Sequence, residues 1–171
     1  YYVTTVITST LSPVSEIIAD GYYTESHQVT TEDGYILEMN RIPYGRFQNE
    51  SSSNTKRPVV FLMHGILTSA ICFLALGPQS AIAYNLADAG YDVWMGNARA
   101  VANSRNHVWL NPDDAHDKME FFDFSFEEIG LFDLPAMIDY ALKTTGQKNL
   151  HYCRLITNCA PVTTLTRWSA N

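Results

Sequence analysis

The residues of this chain that could do chemistry fall into three groups. His64-Gly65 closes a continuous apolar run, Pro58 to Met63, where a buried strand would pass into a loop. Gly65 allows a sharp backbone turn there, and the plain alternative is a strand-end turn around a buried His64. Asp113, Asp114, His116, Asp117 and Glu120 offer oxygen and nitrogen ligands, with His116 and Glu120 at i, i+4 spacing. They lie in a polar loop, so a solvated face is expected rather than a metal site. Cys72, Cys153 and Cys159 are odd in number, so at least one stays free or pairs outside the chain. Neither Cys153 nor Cys159 has glycine neighbours or a following histidine to generate a thiolate, so no cysteine nucleophile is expected. Nowhere does G-x-S-x-G occur, the sharp strand-to-helix turn that exposes a serine nucleophile. No cofactor is implied.

These groups need elements to hold them. Residues 1–20 are Ser/Thr-rich and read as an arm. From Val29 to Pro43 two strand-like runs flank Glu32-Asp33-Gly34, a hairpin-type turn. The stretch from Arg46 to Lys56 is a polar surface loop; it carries the sequon Asn49-Glu50-Ser51, a glycosylation candidate that would matter in a secreted protein. PVVFLM at 58–63 and YDVWM at 91–95 are short continuous apolar runs, the pattern of strands buried on both faces of a parallel sheet. Between them, Ser80 to Ala89 reads as a helix ended by Gly90. Residues 103–123 are polar and irregular. Ser125-x-x-Glu128 is a capping-box pattern. A helix is expected to start at Asp133, with Pro135 in its first turn. Its stripe is Leu134, Met137, Ile138, Ala141 and Leu142, and Gly146 ends it. A third strand begins at Leu150. Strands alternating with helices predict an α/β fold with a mostly parallel sheet, flanking helices and an N-terminal β-hairpin.

Composition narrows the class. The chain has 171 residues, 46% of them hydrophobic, enough for one core. A net charge of -7 with no Lys/Arg cluster argues against nucleic acid as a partner. No 18-residue apolar stretch could span a bilayer. The chain begins at Tyr1 with no signal-peptide pattern, which implies either prior processing or a fragment.

Taken together, TEDGYILEMNRIPYG at 31–45, VVFLMHGIL at 59–67, LADAGYDVWMGNAR at 86–99 and FDFSFEEIGLFDLPAMIDYALKTTGQKNLHY at 122–152 resemble the acid lipases. These are the gastric and lysosomal enzymes and their insect relatives. The resemblance runs from about Gly21 to Tyr152 and implies a three-layer α/β-hydrolase fold, here incomplete. It implies hydrolysis of acylglycerols or sterol esters by the full-length relatives, with a lipid ester as partner, in the secretory pathway or lysosome. By the same resemblance His64, Gly65 and Ile66 are the remnant of an oxyanion hole, with Ile66 supplying a backbone N–H. Ala100 stands where the family's GNxRG has its last glycine, and Arg99 is expected to form a structural ion pair. Phe122 stands where the family commonly has Trp.

After Tyr152 the resemblance stops. In the family, the LHY strand runs into G-H-S-Q-G. Here Ile156 occupies the nucleophile position, and Arg154 and Asn158 replace the two glycines. The last histidine is His151, so no acid and histidine follow in the order this fold uses. The expected organisation is an arm at 1–20, the front part of a lipase domain at 21–152 and a divergent tail at 153–171. The tail has no Asp, Glu or Gly, as an altered reading frame or alternative exon would produce. No catalytic residue is assigned, and the chain is expected to be inactive. The third strand is expected to be an unpaired apolar edge, and the tail to pack poorly. Two other readings stay open: a truncated, non-catalytic isoform that binds lipid or a partner, and a gene-model or transcript artefact.

Overall fold

The computed structural model describes residues 12–49, 56–65, 67–101 and 104–154, together with the backbone of 165–169. A short helix, α1 (Pro13–Ala19), begins after Ser12, whose hydroxyl accepts the Ser15 N–H. The expected hairpin follows as β1 (Glu25–Thr30) and β2 (Tyr35–Ile42), paired antiparallel from Glu25–Arg41 to Thr30–Ile36. Next come β3 (Val59–Met63), a 3-10 turn at Ala70–Phe73, α2 (Ile82–Asp88) and β4 (Asp92–Gly96). A two-residue β5 (Asn106–His107) pairs with β2. Then follow α3 (Lys118–Phe121), α4 (Phe126–Glu128), α5 (Leu134–Thr145), β6 (Asn149–Arg154) and β7 (Leu165–Ser169).

Among the described residues the sheet order is β1-β2-β4-β3-β6-β7, with β3 parallel to both β4 and β6. Every residue of β3 and β4 is buried, because helices cover both faces. The alternation of strand side chains sorts them into two cores. Val60, Leu62, Val93, Met95 and Cys153 pack with Ile17, Phe73, Ala83, Tyr84 and Ala87 on one side. Val59, Phe61, Met63, Trp94 and Leu150 pack with Met137, Ile138, Ala141 and Leu142 of α5 on the other. Burying a side chain such as Phe61 or Leu62 contributes about 1.5–3 kcal/mol. These two layers of helix around one sheet are the expected three-layer architecture.

Two expectations are corrected. The helix does not start at Asp133. The capping box at Ser125 and Glu128 opens α4, and the chain passes through a π-helical turn, Ile129–Asp133, directly into α5. Inside a helix Pro135 would clash with the carbonyl four residues back, that of Leu131, and would leave it without a donor. A wide π turn at that carbonyl relieves both problems. The Asp133 side chain therefore caps nothing and turns inward. Gly146 does end α5, in the left-handed conformation at φ 62. Lys56 Nζ donates to its carbonyl at 3.0 Å, a cation at the negative end of the helix.

The second correction concerns the edge. β6 is not left bare: β7 pairs antiparallel with it, from Asn149–Ser169 to Cys153–Leu165. The tail segment that departs from the family pattern supplies the strand that covers β6.

Candidate functional site

β3, β4 and β6 end side by side. Met63 lies opposite both Gly96 and Arg154, so the loops after these three strands leave from one edge of the sheet. His64-Gly65 leaves β3 and Asn97-Ala98-Arg99 leaves β4. Ile66 and Ile156, the sequence candidates for an oxyanion donor and for the nucleophile position, lie outside the described residues, as does Cys159.

His64 is buried, and its imidazole is held on both sides. Nε2 lies 3.1 Å from the backbone nitrogen of Ala98, and Nδ1 lies 2.8 Å from the Gly65 carbonyl oxygen. A backbone N–H can only donate, so Nε2 carries the lone pair and the proton sits on Nδ1, where it faces an acceptor. Both contacts require the same neutral tautomer. Burial pushes the His64 pKa below its ordinary value, and the bond to Gly65 only partly opposes this.

Asn97 is fully buried and just as constrained. Its Oδ1 accepts the Ala70 N–H at 2.9 Å, and its Nδ2 donates to the Glu38 carbonyl at 3.3 Å and to Asn40 Oδ1 at 3.4 Å. The Asn97 carbonyl in turn accepts the Ser104 hydroxyl at 3.0 Å.

Arg99 forms the ion pair expected of it, and the structure supplies the partners. Its Nε and Nη2 reach Asp133 Oδ1 at 2.9 and 2.7 Å, while Nη1 reaches Asp33 Oδ2 at 2.7 Å. The guanidinium lies over the Tyr35 ring, 3.9 Å from its centroid. Burial raises the Asp133 carboxyl against the pull of Arg99, whereas at Asp33 hydrogen bonds from Arg99 and Thr31 outweigh burial and hold the carboxyl down. Three donors of Arg99 converge on Asp133, because its backbone N–H also reaches Oδ2 at 2.9 Å. Ala100 follows at φ 63, left-handed without being glycine. Leu67 is also left-handed, at φ 58, and its side chain is 92% exposed beside the His64 loop.

The remaining candidates lie elsewhere. Asp113 pairs with Arg105 at 2.8 Å, Asp114 accepts the His116 N–H and Asp117 accepts the Asn111 N–H. These carboxylates order their own exposed loop, and no metal-binding group of three or more His, Cys, Asp or Glu exists among the described residues. Cys153 is buried, and burial pushes its thiol up to about 11, which suppresses the thiolate. Phe122 is exposed, edge-on to Phe121 and under Arg105. Asn49 is exposed, as a glycan acceptor must be, though Ser51 of its sequon lies outside the described residues. Sequence reasoning assigned no role to Asn97 and took Asp133 for a helix start. The signal was the GNAR and DLP segments themselves, whose polar residues sit amid apolar patterning.

Comparison with known proteins gives consistent matches. A family model for a partial alpha/beta-hydrolase lipase region matches residues 14–77, and one for the alpha/beta hydrolase fold matches 58–153. The second match ends one residue before Arg154, where the family's elbow sequence would begin. Human gastric triacylglycerol lipase is 52% identical over 133 residues, which cover 77% of this chain and 32% of that protein. Lipase 1 of Drosophila melanogaster is 50% identical over 144 residues, 84% of this chain and 30% of that protein. The chain thus spans about a third of the length of the curated relatives it matches. Among solved structures, a Pyrococcus furiosus esterase superposes with a TM-score of 0.55 at 15% identity, over 86% of this chain and 44% of that one. At that identity the likeness speaks for the fold alone.

Proposed function

This chain belongs to the acid-lipase family of the α/β-hydrolases, and from that premise we propose that it carries the oxyanion side of a lipid-ester hydrolase while residues 1–171 are themselves catalytically silent. One observation carries the second part. The elbow position after β6 reads Arg154, Ile156 and Asn158 where the chemistry needs Gly, Ser and Gly. Ester hydrolysis in this fold requires a serine on a strained turn, a histidine base and two backbone N–H donors for the developing oxyanion. Ile156 has no nucleophilic atom, and Arg154 and Asn158 bring a Cβ to both positions where glycine relaxes the turn.

The substrates proposed for the full-length relatives are carboxylic esters of long-chain lipids, acylglycerols or sterol esters. The compartment proposed is the secretory pathway, which is consistent with an exposed Asn49. No helix among the described residues is long and apolar enough to cross a membrane. A folded, non-catalytic product that binds lipid or a partner draws support from β7, since that strand covers the β6 edge.

The test is direct. Purified residues 1–171 are expected to hydrolyse short- and long-chain acyl esters no faster than buffer, and to take up no serine-directed phosphonate. Stoichiometric labelling of any serine would overturn the proposal. The triple variant Arg154→Gly, Ile156→Ser, Asn158→Gly is expected to stay unlabelled as well, because no histidine follows the restored serine in residues 1–171 to activate it.

A further inference from the structure

Asn49 stands at the end of a turn that is fastened to the rest of the protein from two directions. The Gln48 N–H closes the turn on the Gly45 carbonyl at 3.0 Å. The Arg46 N–H donates to Asp88 Oδ1 at 2.9 Å, and Gln48 Nε2 reaches the Asp88 carbonyl at 3.4 Å. Gly45 lies so close to Asp88 that a Cβ there would meet its Cα at 2.7 Å. From the other direction, Arg57 Nη2 donates to the Asn49 carbonyl at 3.0 Å. The same guanidinium lies over the Tyr44 ring, 5.7 Å from its centroid, and Tyr44 stacks on Tyr23.

This ordered turn holds an aromatic ring in water. Phe47 is 96% exposed, more than any other large apolar side chain among the described residues. Gln48 turns inward to Asp88, whereas Phe47 and Asn49 on either side of it are exposed. Such alternation sets the ring and the carboxamide on one outward side. Asn49-Glu50-Ser51 is also the one Asn-x-Ser or Asn-x-Thr in the sequence. A single exposed aromatic is ordinary on a protein surface. One fixed two residues ahead of the only glycosylation sequon has a specific use.

We propose that Phe47 is the contact surface for an N-linked glycan on Asn49, with the first N-acetylglucosamine lying against the ring. The proposal rests on the reading of the chain as a product of the secretory pathway, where such glycans are added. In that modification Asn49 Nδ2 loses a proton and bonds the anomeric carbon of an oligosaccharide, whose diphosphate-lipid carrier is the leaving group. A pyranose carries a face of C–H groups, and an aromatic side chain offers that face a large apolar surface. A free sugar would leave so exposed a ring quickly. A sugar bonded to Asn49 stays beside it at high effective concentration, so a weak contact is well populated. Two residues span at most about 7 Å of chain, within reach of an asparagine side chain and one sugar ring. Arg46, whose guanidinium stands 6.0 Å from the ring centroid, adds donors for the sugar oxygens. The glycan in return takes the ring out of water.

The experiment uses residues 1–171 secreted from cultured animal cells behind a cleavable signal peptide. Peptide mapping is expected to find Asn49 glycosylated. After an endoglycosidase trims the glycan to its first N-acetylglucosamine, nuclear Overhauser contacts are expected between that sugar and the Phe47 ring, with the contacting sugar protons shifted upfield. The trimmed glycan is expected to raise the thermal midpoint by about 2–4 °C over that of Asn49→Gln. In Phe47→Ala the same comparison is expected to show no gain, and in Phe47→Tyr most of it. Both positions are exposed, and glutamine at 49 keeps the backbone carbonyl that Arg57 holds, so these variants are expected to fold. An empty Asn49, a sugar without contact to the ring, or an equal gain with and without the ring overturns the proposal. The signal peptide imposes the compartment, so these outcomes judge the contact surface alone. Natural protein recovered from the cytosol would instead overturn the secretory reading, and phosphonate labelling of a serine would overturn the catalytic one.

Discussion

Arg99 and Asp133, 34 positions apart in the chain, meet through two side-chain hydrogen bonds of 2.9 and 2.7 Å at a site where both are almost fully buried. Removing either partner leaves the other charged in a place water cannot reach. Arg99→Met is therefore expected to destabilise the fold by about 3–5 kcal/mol. The double variant Arg99→Met, Asp133→Leu is expected to cost much less than the sum of the two singles, because no orphaned charge then remains between them. Urea unfolding checks both, and a single-variant cost below about 1 kcal/mol would contradict the pairing.

Acid is expected to weaken the fold through His64. Its native pKa lies below the ordinary value of 6.5 because burial favours the neutral ring. The unfolded chain therefore takes up this proton first as pH falls. The His64 contribution is fully present above about pH 6.5 and is lost as pH drops through the lower native value. Glu25, Asp33 and Glu128 have native carboxyls below the usual range, so their contributions fade only at still lower pH. The difference between the unmodified chain and His64→Gln isolates the histidine. If both lose stability identically between pH 7 and 5, the ring is not buried neutral.

Ala100 occupies a left-handed conformation at φ 63, where its N–H donates to the Ser104 carbonyl and the N–H of Val101 to that of Ala98. An L-residue with a Cβ is strained by about 1–2 kcal/mol in that region. Glycine also loses more chain entropy on folding, about 0.4–1 kcal/mol. Ala100→Gly is thus expected to raise stability modestly, by about 0.5–1 kcal/mol, and to raise the thermal midpoint by a few degrees. A drop in the midpoint would show that the methyl group makes packing contacts worth more than the strain.

Gly96 ends β4 in close contact with both neighbours. A Cβ there would sit 2.8 Å from Phe61 Cζ and 2.9 Å from Met137 Sδ. Phe61 is locked in the core, while the methionine has freedom to move. Gly96→Ala is expected to cost about 1–3 kcal/mol. Met137→Ala removes the sulfur from that contact, so Gly96→Ala combined with it is expected to cost less than the sum of the two single variants, which a double-variant melting cycle would reveal.

How far the sequence revealed this arrangement depended on the range of each interaction. β3 and β4 were legible because burial on both faces writes itself locally, as VVFLM and YDVWM. The apolar stripe of α5 and the Ser125–Glu128 capping box were legible for the same reason. The ion pair of Arg99 could be anticipated but not its partner, since Asp133 belongs to another element and its DLP setting mimics a helix start. The π turn escaped because it answers a clash between Pro135 and a carbonyl that exists only once the helix is continuous. The strand β7 escaped because nothing in LTRWS indicates which edge will receive it. The hydrogen bond from Ala98 to His64 joins two loops, and the spacing of residues within either loop carries no trace of it.

The direction of β7 has a consequence for the order in which the sheet can assemble. Val60 must find His151, across about half of the chain, before β3 and β6 can pair. Cys153, by contrast, meets Leu165 within a short stretch of the same segment, and Asn149 meets Ser169. Loop-closure entropy favours the nearer pairing. β6 and β7 can therefore join as a local pair before that pair docks on β3, while a parallel neighbour for β6 would need a long crossover. An apolar strand that acquires its partner so close in sequence spends little time with a bare edge during synthesis, when one molecule is most apt to pair with the next.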